Sequence, residues 1–159
     1  MLARHAYGMR RWVDLFGPRG HAAADPELRD LVARVAADNA RHMAMFRARA
    51  EAHGVDPDAY TCPPEGEAIY ERLAELDVDQ SLAYALGSLE HFAELLAAYA
   101  GAADGADAEV IETVRAETDR TIALLRRFVE DGAAPLAGEA HERYRLRELV
   151  ETPLYAHAG

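Results

Sequence analysis

Asparagine occurs once in this chain, at position 39, and His42 follows one helical turn later. At about 100° per residue, the segment after Pro26 places Leu28, Leu31, Val32, Val35, Met43 and Phe46 on one apolar stripe, with Asn39 and His42 in its middle. A buried amide and a buried imidazole are costly unless something bonds to them. The pair therefore calls for polar partners on the helices opposite.

Three residues on other segments qualify. His5 shares an apolar face with Leu2, Met9, Trp12, Val13 and Phe16, and lies about 12 residues before Gly17, which at about 1.5 Å per residue is within about one turn of the level of Asn39 and His42. Glu90 lies about 11 residues before Gly101, and Glu117 about 10 after Asp107. Five polar groups from four helices are thus expected in one layer: two imidazoles, two carboxylates and an amide. In a dry interior that donor set suits iron, manganese or zinc. Glu90 flanks the stripe of Leu82, Leu86, Leu89, Ala93, Leu96 and Ala100, and Glu117 flanks Val110, Val114, Leu125 and Phe128; Thr118 and Thr121 point inward more directly.

The elements that must position these residues are read from the punctuation. A first helix over about 2–16 stops at Gly17-Pro18, and a second opens at Asp25-Pro26-Glu27 and runs to Gly54. Residues 55–78 carry Pro57, Pro63, Pro64 and one short helical piece over 67–76; a third helix spans about 79–100 and a fourth about 107–130. The first and last pairs are joined by connections of about eight and six residues, so each is an antiparallel hairpin. The roughly 24 residues between hairpins suit a crossover along the bundle, which makes the second and third helices parallel. An up-and-down bundle with a decorated middle loop is the alternative. Residues 1–132 form the expected bundle, and 133–159 a tail with a short helix over 138–150 that packs on the bundle or on a partner.

Composition agrees with an all-α chain. Among 159 residues there are 34 Ala and 17 Arg, no Lys, and only 3 Ile, 9 Val and 5 Thr, which sets aside all-β and α/β folds. Half the residues are hydrophobic, enough for a core at this length. A net charge of −11 argues against nucleic acid and against an anionic membrane surface. Cys62 is the only cysteine, so there is neither an internal disulfide nor a thiolate cage, and no run is apolar enough for a membrane span or a signal peptide. A cytoplasmic location is expected. The missing lysines read as codon bias.

The run Ala37-Asp38-Asn39-Ala40-Arg41-His42, with Phe46, Arg49 and the exit His53-Gly54-Val55-Asp56-Pro57, resembles the second helix of rubrerythrins and other ferritin-like proteins, where a Glu-x-x-His motif supplies two metal ligands. Glu117-Thr118-Asp119-Arg120 stands where that family repeats the motif, and Glu90 where its third helix supplies a carboxylate. The resemblance covers about residues 2–130 and implies a ferritin-like four-helix bundle with a long crossover. Asn39 replaces the motif's Glu, Arg120 its second His, and His5 the first helix's Glu. The family's di-iron centre takes about four carboxylates and two histidines, so the implied site is a reduced, single-metal one. It would be held by His5, His42, Glu90 and Glu117, with Asn39 as a weak ligand or outer hydrogen bonder, and would take iron or manganese for iron- or oxygen-handling. Two other readings stand beside it. One is a metal-free bundle that acts through homodimerisation or partner binding. The other is a small-molecule pocket, or a metal-free enzyme with His42 or Glu117 as acid or base.

Other residues read as structural. His91 is expected to be exposed opposite the third helix's stripe, and His53 to meet free carbonyls in the last turn of the second helix. Tyr7, Trp12, Tyr84 and Tyr99 are expected to pack the core. Cys62 shows no neighbouring base, and Arg10, Arg11, Arg126 and Arg127 sit on solvated faces.

Overall fold

The computed structural model of the chain describes residues 1–129, and all regular structure among them is helical. Helices α1 (Leu2–Phe16), α2 (Pro26–Ala52), α3 (Pro64–Ala74), α4 (Val78–Ala100) and α5 (Gly105–Leu125) are joined by short turns, with a single 3-10 turn at Arg19–Ala22. The helix expected over 138–150 lies outside the described residues. No described helix is long and apolar enough to cross a membrane.

Local chemistry accounts for the ends. Asp25 caps α2 by accepting from the Glu27 N–H, with Pro26 at the first helical position. Asp77 and Gln80 bond reciprocally in a capping box at the start of α4. The exit from α2 is a Schellman turn: Gly54 takes φ +75, and the Val55 N–H bonds the Ala50 carbonyl. Two boundaries differ from the sequence expectation. The short crossover helix begins at Pro64 rather than 67, because Pro63-Pro64 presets the backbone of its first turn. Helix α5 stops at Leu125 rather than 130: the Arg127 and Phe128 N–H groups turn back to the carbonyls of Leu124 and Leu125, which closes the helix in a tightened final turn.

Contacts between helices give their directions. Pairs at Asp38–Thr121, His42–Glu117 and Arg49–Asp107 run in opposite order along α2 and α5. Ring contacts at Trp12–Tyr84 and His5–Phe92 do the same for α1 and α4. The core is divided lengthwise. Phe16, Val32, Val35, Leu82 and Leu125 pack one end together with Ile69 and Leu73 of α3. Leu2, Ala6, Phe46, Leu96, Ile111 and Val114 pack the other. Each large apolar side chain fully buried there stabilises the fold by about 1.5–3 kcal/mol.

Arg19 joins three helices at one end. Its guanidinium donates to the carbonyl of Leu15 at 2.6 Å, to that of Leu73 at 2.9 Å, and to the Ser81 hydroxyl at 3.1 Å. The last carbonyls of α1 and α3 have no partners within their own helices. A planar cation with several fixed donors satisfies both and fastens them to the start of α4.

Candidate functional site

Between the two apolar clusters the helices line a partly open cavity of about 200 Å³. Its construction begins with aromatic residues spaced along α1 and α4. Trp12 stacks on Phe16 at 5.1 Å and on Tyr84 at 6.2 Å, while His5 meets Phe92 at 5.5 Å and Tyr99 at 5.6 Å. These rings span the gap between the two helices. The crossover covers the side, with Tyr60, Cys62, Ile69 and Tyr70 on the wall and Tyr7 packed against both Tyr60 and Tyr70. The Tyr7 hydroxyl donates to the Glu67 carboxylate, which fixes α3 to α1.

The polar part of the wall comes from α2 and α5. His42 is buried, and its Nε2 lies 2.7 Å from Oε2 of Glu117. Arg41 donates to the same oxygen at 2.5 Å and to Asp38 at 2.8 Å, and the Thr121 hydroxyl donates to the other oxygen of Asp38. Burial pushes the Glu117 carboxyl up, but the hydrogen bonds from Arg41 and His42 outweigh it, and the group ends below the usual carboxylate range. For His42 burial dominates over the carboxylate beside it, and its pKa falls below the ordinary histidine value. A neutral imidazole next to an ionised carboxylate donates through Nε2–H, so the nitrogen left as an acceptor is Nδ1.

His5 also faces the cavity, near its other end, among Phe46, Phe92 and Tyr99, with Nε2 3.2 Å from the Tyr99 hydroxyl. Burial, with smaller contributions from the N-terminal ammonium and Arg4, pushes its pKa down to about 3. Burial likewise pushes the Tyr99 hydroxyl up to about 12. Asn39 lines the cavity as well and spends one amide N–H on the Val35 carbonyl at 2.8 Å.

The structure brings His5, Asn39 and His42 to the cavity wall and puts Glu117 directly behind His42. Glu90 is not among them. Its carboxylate accepts from Nη2 and Nε of Arg126 at 2.7 and 3.1 Å on the outer surface between α4 and α5. It matches the others in height but not in direction. Arg120, which stands at the second motif histidine, is exposed and 3.5 Å from Glu117. Among the described residues no group of three or more His, Cys, Asp or Glu side chains could hold a metal ion. His42 and Glu117 are bonded to each other, and a guanidinium neutralises the carboxylate. The residues do not fit an iron or manganese centre.

Other assignments change too. His91 is only partly exposed and lines the cavity. The signal that reveals it is a second stripe on α4, Tyr84, Ser88, His91 and Leu95, which lines the cavity beside Leu89 of the leucine stripe. His53 meets a side chain rather than helix carbonyls: Asp107, itself 3% exposed, bonds His53 at 2.6 Å and Arg49 at 2.5 Å. Burial raises the Cys62 thiol above its ordinary pKa, which keeps it protonated and unreactive.

Thr118, expected to point inward, carries a feature that the sequence does not show. It lines the cavity and is 2% exposed, and its hydroxyl oxygen has no hydrogen-bond partner. A helical threonine can bond the carbonyl four residues back, as Thr113 does with Glu109 at 2.8 Å. Thr118 makes no such bond: its hydroxyl oxygen is buried and unpaired, and meets the cavity only by turning about the Cα–Cβ bond.

No family model, curated protein or solved structure matches the chain.

Proposed function

We propose that this chain is a small-molecule-binding helical bundle whose ligand occupies the cavity beside His42 and Thr118. One observation carries the reading: an aromatic-walled cavity of about 200 Å³ is lined by Thr118, whose buried hydroxyl has no protein partner. Interior sites of this kind, apolar with a few convergent polar groups, are what small ligands require. An unpaired buried hydroxyl costs about 1–3 kcal/mol, a penalty that a bound ligand relieves.

The ferritin-like connectivity implied by the residues around Asn39 and His42 belongs to the same proposal. It is supported by α2 running antiparallel to α5 and α1 antiparallel to α4, with α3 lying in the long connection between the two hairpins. In this reading the position of the family's metal is taken by an organic ligand. Its nearest basic group is Nδ1 of His42, oriented by Glu117 and able to accept a proton or a hydrogen bond.

The test is a screen of uncharged ring compounds by melting temperature, run on wild type and on Ser88→Phe, which places a ring in the cavity. Compounds should stabilise wild type and leave Ser88→Phe unmoved. Equal shifts in both proteins, or none in wild type, would overturn the reading. Iron, manganese and zinc should remain substoichiometric in protein purified without chelators; a stoichiometric metal that His42→Ala loses would restore the metal centre in its place.

A further inference from the structure

We infer that the ligand is a neutral, flat aromatic molecule of one or two fused rings bearing an O–H or N–H donor, a phenol or naphthol in kind, with its ring between Trp12, Tyr84 and Phe92 and its donor at His42 and Thr118. This rests on the small-molecule reading above and adds the chemical class.

Size comes first. A cavity of about 150 Å³ lined by aliphatic and aromatic side chains holds benzene, and the one here is somewhat larger, at about 200 Å³. Shape follows from the walls. Trp12 and Tyr84 are near-parallel, with 28° between planes and 6.2 Å between centroids, and Phe92 lines the same space. Rings at that wall favour stacked or edge-on contact with another ring, beyond what buried area alone contributes.

Charge is excluded by what surrounds the site. The carboxylates of Asp38 and Glu117 are both engaged by Arg41, and His5 stays neutral because burial disfavours its charged form. A cation would meet only Asp38, which already bonds Arg41 and Thr121, and an anion only Arg4. Arg4 is the cation on the wall, and it lies over the Tyr60 ring at 5.9 Å.

The polar end sets the donor. His42 has committed Nε2 to Glu117 and offers Nδ1; Asn39 has committed an amide N–H to Val35 and offers Oδ1. Both are acceptors. Thr118 follows Glu117 on α5, so its unpaired hydroxyl lies at the level of His42. A ligand that donates one hydrogen bond to either acceptor and accepts one from the Thr118 hydroxyl engages two of these three groups. A phenolic O–H does both.

Calorimetric titration at pH 7 tests this with 2-naphthol, 2-methoxynaphthalene, 2-naphthoate, decahydro-2-naphthol and benzene. 2-Naphthol should bind at least tenfold more tightly than the methyl ether, which lacks the donor, the carboxylate, which is charged, and the saturated alcohol, which is not flat. Thr118→Val should weaken 2-naphthol at least fivefold and weaken the methyl ether as well, since both oxygens accept from the Thr118 hydroxyl, and Thr118→Ser should retain the affinity for both. Equal or tighter binding of 2-naphthoate would overturn the inference in favour of anion recognition at Arg4, and equal binding of the ether or the saturated alcohol would overturn it in favour of an unselective pocket. In each of those cases, and if benzene alone binds, the small-molecule reading survives. Absence of binding by all five, benzene included, would remove both. Should Thr118→Val fail to fold, the wild-type ranking and Thr118→Ser decide.

Discussion

Nε2 of His42 lies 2.7 Å from Oε2 of Glu117 and joins α2 to α5 midway along the bundle. Arg41 meets the same oxygen from the solvent side, so the carboxylate has a cation on one side and a neutral imidazole on the other. The carboxylate sets which ring nitrogen carries the proton.

Glu117→Gln removes that charge and leaves the shape. The His42 pKa should then fall further below the ordinary histidine value, because the bond and the field of Glu117 are what oppose its burial. NMR titration of the His42 ring measures this directly, with an expected loss of about 1 kcal/mol of stability from a weakened charge-assisted bond. An unchanged or raised His42 pKa would contradict the assigned tautomer.

His5 should make the fold acid-sensitive. Its pKa is about 3 in the native state and about 6.5 in an unfolded chain. Between those values the unfolded state binds the extra proton, so stability falls as pH falls. The contribution is complete above about pH 6.5 and declines by about 1.4 kcal/mol per pH unit below it. Glu117 acts in the same sense near its own lowered pKa, so the measurement is the difference between wild type and His5→Phe. Denaturant melts at pH 4, 5, 6 and 7 should show the variant gaining on wild type at each step down. Parallel pH profiles would show that His5 is solvated.

Arg19 should be irreplaceable by another cation. Arg19→Met leaves the Leu15 carbonyl and the Ser81 hydroxyl without the Arg19 donor, while the Leu73 carbonyl keeps only the Leu76 N–H at 3.3 Å. The expected loss is about 2–3 kcal/mol for the unpaired groups. Arg19→Lys should recover less than half of it, since one ammonium cannot reach all three sites. Chemical denaturation of the three proteins decides, and full rescue by lysine would show that charge alone matters there.

Much of this arrangement can be read from residues in order. The helical period turns Asn39 and His42 inward, because a side chain in the centre of an apolar stripe cannot reach water without unburying its neighbours. Pro26 after Asp25 and the Gly54 exit bound α2 by backbone stereochemistry that no packing needs to supply. His91 escaped because one stripe per helix was sought, whereas the cavity face of α4 carries a second; Thr118 was legible as pointing inward, but an unmade hydrogen bond leaves no mark in a sequence.

Glu90 and Glu117 show where that legibility stops. Both flank an apolar stripe, and both stand at the height of His42. A flanking carboxylate can lean towards the interior or towards solvent, and the choice depends on which cation or imidazole the neighbouring helix holds within reach. Arg126 draws Glu90 outward, and His42 with Arg41 holds Glu117 behind the cavity wall. Height along a helix follows from counting residues. The direction of a flanking side chain, and with it the difference between a five-ligand layer and a two-residue pair beside an open cavity, depends on how adjacent helices are rotated and spaced, which only their packing decides.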